Sequence, residues 1–149
     1  MMKRILVING PNLNLLGERE PEIYGNRSIG DIEKLVKDAG TQLKYEIAFF
    51  QSNSEGAIID MLQKSRKEYA GIIINPAAYT HTSVAIYDAL KTVGIPVVEV
   101  HISNIYQRED FRKNSITAAA ASGVISGFGH YSYILAVIAL VNMLEGRGE

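Results

Sequence analysis

This 149-residue sequence predicts an α/β fold in which one parallel sheet carries helices on both faces, and three observations predict it. Short apolar runs alternate with amphipathic stretches along the whole chain. Runs such as Ile5-Leu6-Val7-Ile8 are apolar at every residue, as in strands covered on both faces. The strand candidates are separated by stretches long enough for crossovers, and right-handed crossovers gather such strands into one parallel sheet.

The elements follow in order. The first strand, Ile5 to Ile8, is stopped by Asn9-Gly10-Pro11, and a polar loop with Pro11, Gly17, Pro21 and Gly25 comes next. Ser28 stands where an N-cap should, with Asp31 three residues on as a weak capping box. Ile29, Ile32, Leu35, Val36, Ala39 and Leu43 then recur at three- and four-residue steps, the stripe of a helix. Tyr45, Ile47 and Phe49 alternate with polar or small neighbours and give a second strand. Ser54 caps a helix running to about Lys67, and Gly71 to Asn75 is the third strand, ended by Pro76. A helix from about Ser83 sets Ile86, Ala89, Leu90 and Val93 on one face and closes at Gly94. Pro96 opens the fourth strand, Val97 to His101. After a charged loop come the fifth strand, Val124 to Ser126, and a last helix, Tyr131 to Leu144. This order suits the five-stranded flavodoxin-like winding. Without repeats or Pro/Ser-rich linkers, residues 1–149 read as a single domain.

Composition excludes several functions. Hydrophobic residues make up 47% and charged residues 21%, ordinary for a globular chain. A formal net charge of -1 leaves no footprint for nucleic acid or an anionic membrane. Absence of cysteine removes disulfides, thiolate catalysis and cysteine-ligated metal, and fits a reducing cytoplasm. The apolar run behind Met1-Met2-Lys3-Arg4 is too short for a signal peptide. Ile134 to Leu144, interrupted by Asn142, falls well short of the ~20 residues that span a bilayer. A cytoplasmic location is the expectation.

In such a sheet, ligands bind beyond the carboxyl ends of the strands. Those ends are unusually polar here: Asn9 leading to Asn12 and Asn14, then Gln51-Ser52-Asn53, then Asn75, then Glu99, His101 and Ser103. Capping accounts for Ser54 and Asn53, but a constellation of neutral donors and acceptors at four ends suits a small, hydroxyl-rich ligand. Gly10 and Gly17 are too far apart for a dinucleotide fingerprint, and no phosphate loop occurs. A phosphoacceptor domain would want an aspartate where Asn75 stands.

Glu99 and His101 share a strand face two residues apart, so their contact is geometrically easy; it serves either a general acid or a structural ion pair. His81 lies in a loop entering a helix, as a ligand donor or as an ordinary loop residue, and His130 reads as structural. Three histidines without close spacing make a poor metal site. The loop Gly17 to Gly25, charged and bounded by glycines, has the composition of a mobile lid and equally of a solvated loop. Arg108 and Arg112, four apart, serve either one face of a turn or surface ion pairs.

Together these residues resemble the type II 3-dehydroquinate dehydratases, over about Arg4 to Leu144. The resemblance rests on Asn9-Gly10-Pro11-Asn12-Leu13-Asn14 with Gly17 and Arg19, Tyr24-Gly25, and Phe50 to Gly56. Asn75-Pro76 through Ser83, Glu99 to Asn104 and Arg108 to Arg112 complete it. It implies a cofactor-free, metal-free hydro-lyase of the shikimate pathway of aromatic amino acid biosynthesis. The implied reaction converts 3-dehydroquinate to 3-dehydroshikimate by anti elimination through an enol(ate). A catalytically silent sugar-acid binding protein is the alternative, and it would not need Tyr24, Arg19 and His101 together.

By the resemblance Tyr24 is the base beside the ketone. A phenol costs about 4 kcal/mol to ionise at pH 7, and Arg19 on the same lid is the expected source of help. Asn12 would hold a water at the enolate oxygen, and His101, oriented by Glu99, would protonate the leaving hydroxyl. The Ile102 and Ser103 amides would take the carboxylate, with Asn75, His81 and Arg112 on the ring hydroxyls. Asp88 would enter from a neighbouring subunit of a homo-oligomer, trimers built into a dodecamer. Two positions depart from the family pattern: Tyr87 where arginine is usual, and Ala118 to Ala121 where proline is common.

Overall fold

The computed structural model describes residues 1–146, so the last three residues of the expected domain lie outside the described residues. The described strands are β1 (Lys3–Asn9), β2 (Tyr45–Gln51), β3 (Gly71–Asn75), β4 (Val97–His101) and β5 (Gly123–Ser126). They pair in parallel in the order β2-β1-β3-β4-β5, the expected flavodoxin-like winding. The helices are α1 (Pro21–Tyr24), α2 (Ile29–Gln42), α3 (Glu55–Ser65), α4 (Val84–Thr92) and α5 (Tyr131–Leu144).

Strand alternation explains why β1 is apolar throughout. Ile5 and Val7 face one layer, meeting Ile32 and Val36 of α2 and Val137 and Leu140 of α5. Leu6 and Ile8 face the other, meeting Ile58 and Leu62 of α3 and Ile86 of α4. Each of these buried aliphatic side chains contributes roughly 1.5–3 kcal/mol of transfer free energy. The uniform apolarity of α5 has a related cause, since it packs against β3, β4 and α2.

Both expected serine caps form, and Ser83 supplies a third. Ser28 Oγ accepts from Asp31 N while Asp31 Oδ2 accepts from Ser28 N, both at 3.1 Å. Ser54 Oγ accepts from Ala57 N at 3.2 Å, and Ser83 Oγ from Ile86 N at 2.9 Å. The helix expected to reach Lys67 ends at Ser65 instead, because the N–H groups of Glu68 and Tyr69 both return to the Ser65 carbonyl. The loop from Gly17 to Gly25 contains the unforeseen α1, started by Pro21, whose fixed φ suits a first helical turn. The charged loop after β4 winds into short 3-10 turns at Ile105–Gln107, Asp110–Arg112 and Thr117–Ala120.

The strand ends are level. Asn9 registers with Gln51 on one side and with Asn75 on the other. The chain leaves β1 for β2 on one side and later returns to β3 on the other, so a crevice opens above β1 and β3. Gly10 lets the two loops there meet: a Cβ at this position would stand 2.5 Å from the Pro76 carbonyl oxygen.

Candidate active site

The polar strand ends divide into two groups. Gln51 Nε2 donates to the Gly10 carbonyl and to Asn53 Oδ1, both at 3.2 Å. Asn53 Oδ1 also accepts from Asn12 N at 2.9 Å, holding Asn12 in a left-handed conformation with φ 70. Gln51 and Asn53 therefore brace the loop and do not line the pocket, which corrects the reading of all four ends as ligand donors. Asn12 and Asn75 do line it.

That pocket, about 170 Å³, lies over the ends of β1, β3 and β4. It brings together Asn12, Arg19, Tyr24, Asn75, His81, His101, Ile102, Ser103 and Arg112, drawn from four separate segments. Asp88 is not among its residues; it is exposed on the outer side of α4. Tyr87 beside it accepts from Lys91 Nζ at 3.4 Å. Among the described residues, no group of three or more His, Cys, Asp or Glu side chains is placed to hold a metal ion.

Beneath the pocket the expected Glu99–His101 contact forms, with His101 Nε2 2.8 Å from Glu99 Oε2. Glu99 is fully buried, yet it accepts further bonds from Ser115 Oγ at 2.8 Å and from the Thr117 hydroxyl. Thr80 Oγ1 joins at 3.1 Å and touches both other hydroxyls. Burial opposes ionisation of this carboxyl, but the bonds from His101, Thr117 and Ser115 outweigh it and hold the group below its ordinary value. An ionised carboxylate can only accept, so His101 must donate Nε2–H to it. Nδ1 is then the nitrogen left for the pocket.

The hydroxyls around Glu99 make a prediction about acid stability. A carboxyl held low contributes stability that is complete above its unfolded value, about 4.3, and is lost as pH falls through the folded value. Thr117→Val removes one donor. The variant is expected to lose roughly 1–3 kcal/mol and to unfold at higher pH on acid titration. Circular dichroism checks this, and an unchanged acid midpoint would contradict it.

In the Gly17 to Gly25 loop, the sequence pointed to Arg19 as the cation acting on Tyr24. The structure gives the phenol oxygen a different donor, Arg108 Nη1 at 2.6 Å, and sets Arg19 against the ring face, 5.4 Å from its centroid. A guanidinium has no lone pair, so the phenol oxygen accepts and its own proton remains free. Arg108 also reaches Ser103 Oγ at 3.5 Å and Glu20 Oε2 at 3.9 Å. Arg112 lines the pocket, as Arg108 does, and also forms the ion pair that was the alternative reading, bonding Glu109 Oε2 at 2.9 Å. His81 Nδ1 meets the Asn114 carbonyl at 2.7 Å, which turns Nε2 into the free nitrogen. The carbonyls of Ile102 and Ser103 are taken by Gly129 N and Ser126 Oγ, each at 3.0 Å, and pin that segment.

Three features escaped sequence reasoning: Arg108 as the ligand of Tyr24, the hydroxyl group around Glu99, and the bonds made by Tyr133. The spacing of Ser115 and Thr117 and the adjacency of Thr80 to His81 were visible, but only the fold shows that they converge.

Comparison with known proteins agrees with this fold. The family model described as "Dehydroquinase class II" matches residues 3–141. A 3-dehydroquinate dehydratase of Clostridium botulinum (strain Hall) is 57% identical over 143 residues, covering 96% of this chain and 97% of that protein. The crystal structure of type II dehydroquinase from Butyrivibrio crossotus superposes with a TM-score of 0.91 at 47% identity, over 93% of this chain and 97% of that one. The enzyme from Propionibacterium acnes gives 0.92 at 40% identity, over 95% and 98%. This chain belongs to the class II dehydroquinase family.

Proposed function

We propose that this protein is a hydro-lyase that removes water from 3-dehydroquinate by anti elimination, giving 3-dehydroshikimate in the shikimate pathway, with the chain working as one catalytic domain. The observation that carries the mechanism is the hydrogen bond from Arg108 to Tyr24 in the same pocket as a carboxylate-held His101.

Tyr24, acting as its phenolate, takes the proton from the carbon beside the ketone and becomes the neutral phenol. The carbon–hydrogen electron pair moves into the ring and charge collects on the ketone oxygen, where Asn12 positions a water to meet it. The enolate then expels the hydroxyl, which takes a proton from His101 Nδ1. Delivery from Nδ1 requires the doubly protonated ring, because Nε2–H is committed to Glu99, and the Glu99 anion is its counter-charge. Protons pass between side chains and substrate, so the reaction as written draws on no cofactor.

Magnitudes favour this arrangement. Ionising a phenol at neutral pH costs about 4 kcal/mol. Opposite charges 4 Å apart gain about 4 kcal/mol at an effective dielectric of 20, and a hydrogen bond to a charged group adds roughly 1.5–3 kcal/mol. Arg108 touches the oxygen on which the negative charge must sit, and Arg19 lies over the same ring.

For binding, the Ile102 and Ser103 amides would hold the carboxylate, and Asn75, His81 and Arg112 the ring hydroxyls. Assembly as a homo-oligomer, trimers within a dodecamer in the cytoplasm, would bring Asp88 of one subunit to its neighbour's pocket. The exposure of Asp88 supports this, as do exposed Val124, Phe128 and Ile138 beside edge strand β5, which a second copy would cover. No described helix is long and apolar enough to cross a membrane.

Purified protein given 3-dehydroquinate alone is expected to generate the ultraviolet absorbance of a conjugated enone. A folded protein that leaves the absorbance flat would refute the assignment.

A further inference from the structure

Tyr133 lies on α5, 1% exposed, under the ends of β1 and β3. Its ring belongs to the core, but its hydroxyl joins two amides: Asn75 Nδ2 donates to it at 2.9 Å, and it donates to Asn9 Oδ1 at 2.7 Å. A third bond fixes the direction of this chain. The Ala77 N–H donates to Asn75 Oδ1 at 3.0 Å, and an N–H must meet an oxygen, so the Asn75 NH2 is turned toward Tyr133. Tyr133 accepts there, and its own proton goes to Asn9. Burial pushes the Tyr133 phenol far above its ordinary value, so the group stays a neutral donor. Ala77 itself has φ 53, a left-handed conformation that is unfavourable for a residue with a Cβ, and the Asn75 bond helps hold it there.

Asn75 lines the pocket, and its second Nδ2 proton has no protein acceptor among the described residues. We propose that Tyr133 is a positioning residue: through the chain Asn75–Tyr133–Asn9, and together with the Ala77 N–H, it holds the Asn75 amide so that the pocket presents an N–H donor to an acceptor oxygen on the substrate ring. Were the amide free to flip, it would offer a carbonyl there instead, and the ring hydroxyl would have to turn its own proton toward it. The inference rests on the reading of the pocket as a site for a hydroxylated ring acid. It adds a residue that does not itself touch the ligand.

Steady-state kinetics on 3-dehydroquinate test it with three variants of the full chain: Tyr133→Phe, Asn75→Ala and the double substitution. Phenylalanine keeps the ring and removes one oxygen. The expected result is a KM raised roughly 10-fold with kcat within about 3-fold of wild type, since one directed hydrogen bond is lost and the reacting groups are untouched. If Tyr133 acts through Asn75, the double variant is no worse in kcat/KM than Asn75→Ala alone. Penalties that multiply independently, or a KM unchanged in Tyr133→Phe, would overturn the positioning role and leave Tyr133 as core packing. Should Tyr133→Phe not fold, Asn9→Ala removes the other end of the chain and is expected to raise KM about 3-fold; no change there overturns the role as well. An inert wild-type protein would bring down the pocket reading and this inference with it, whereas an active wild type with an indifferent Tyr133→Phe brings down the inference alone.

Discussion

Tyr24→Phe is expected to lower kcat by roughly 10²–10⁴ while moving KM by no more than a few-fold. The substitution removes the atom that takes the proton and almost nothing else. The ring remains, so the contacts that Arg19 and Arg108 make with its face, at 5.4 and 5.3 Å from the centroid, persist. Arg108, with an 11% exposed side chain, keeps Glu20 and Glu109 within 3.9 Å and is not left as an isolated buried charge. The positions proposed to hold the carboxylate and ring hydroxyls, at and beyond the ends of β3 and β4, do not involve the phenol, so ground-state binding should survive. A loss confined to kcat identifies an interaction made in the transition state. Initial rates across substrate concentration check this, and a variant with near-normal kcat would show that Tyr24 is not the base.

Arg108→Ala should likewise fall in kcat, by roughly 10–100-fold, because the hydrogen bond it removes stabilises the phenolate, the form of Tyr24 that can take the proton. Part of the effect will reach KM, since Arg108 also lines the pocket. Arg19→Ala is expected to lose turnover as well, as the second cation over the same ring. Methionine at position 108 would keep much of the stem that packs beside Tyr24, separating loss of charge from loss of bulk.

How much of this was legible in the sequence follows from which signals are local. The strands and the caps at Ser28 and Ser54 were readable because apolarity on both faces and a side-chain oxygen three residues before its N–H are properties of short segments. Glu99 and His101 could be paired for the same reason, lying two apart on one strand. α1 was missed because a four-residue turn carries too little periodicity, and the 3-10 turns after β4 for the same cause. The amides at the strand ends misled because Gln51 and Asn53 offer the same chemistry whether they brace a loop or hold a ligand. Only the register of β1 against β2 and β3 separates those uses. The cation on Tyr24 was out of reach for a different reason. Arg19 is five residues away in the chain and Arg108 is 84, and proximity in sequence favoured the one that stacks over the one that bonds.

That bond is also where the account is most exposed. It requires the guanidinium touching the phenol oxygen at 2.6 Å to assist proton removal. The direct measurement is kcat of folded Arg108→Ala on 3-dehydroquinate, with and without added guanidinium salt. The account predicts a fall of roughly 10–100-fold that the free cation partly restores; turnover within about twofold of wild type would contradict it.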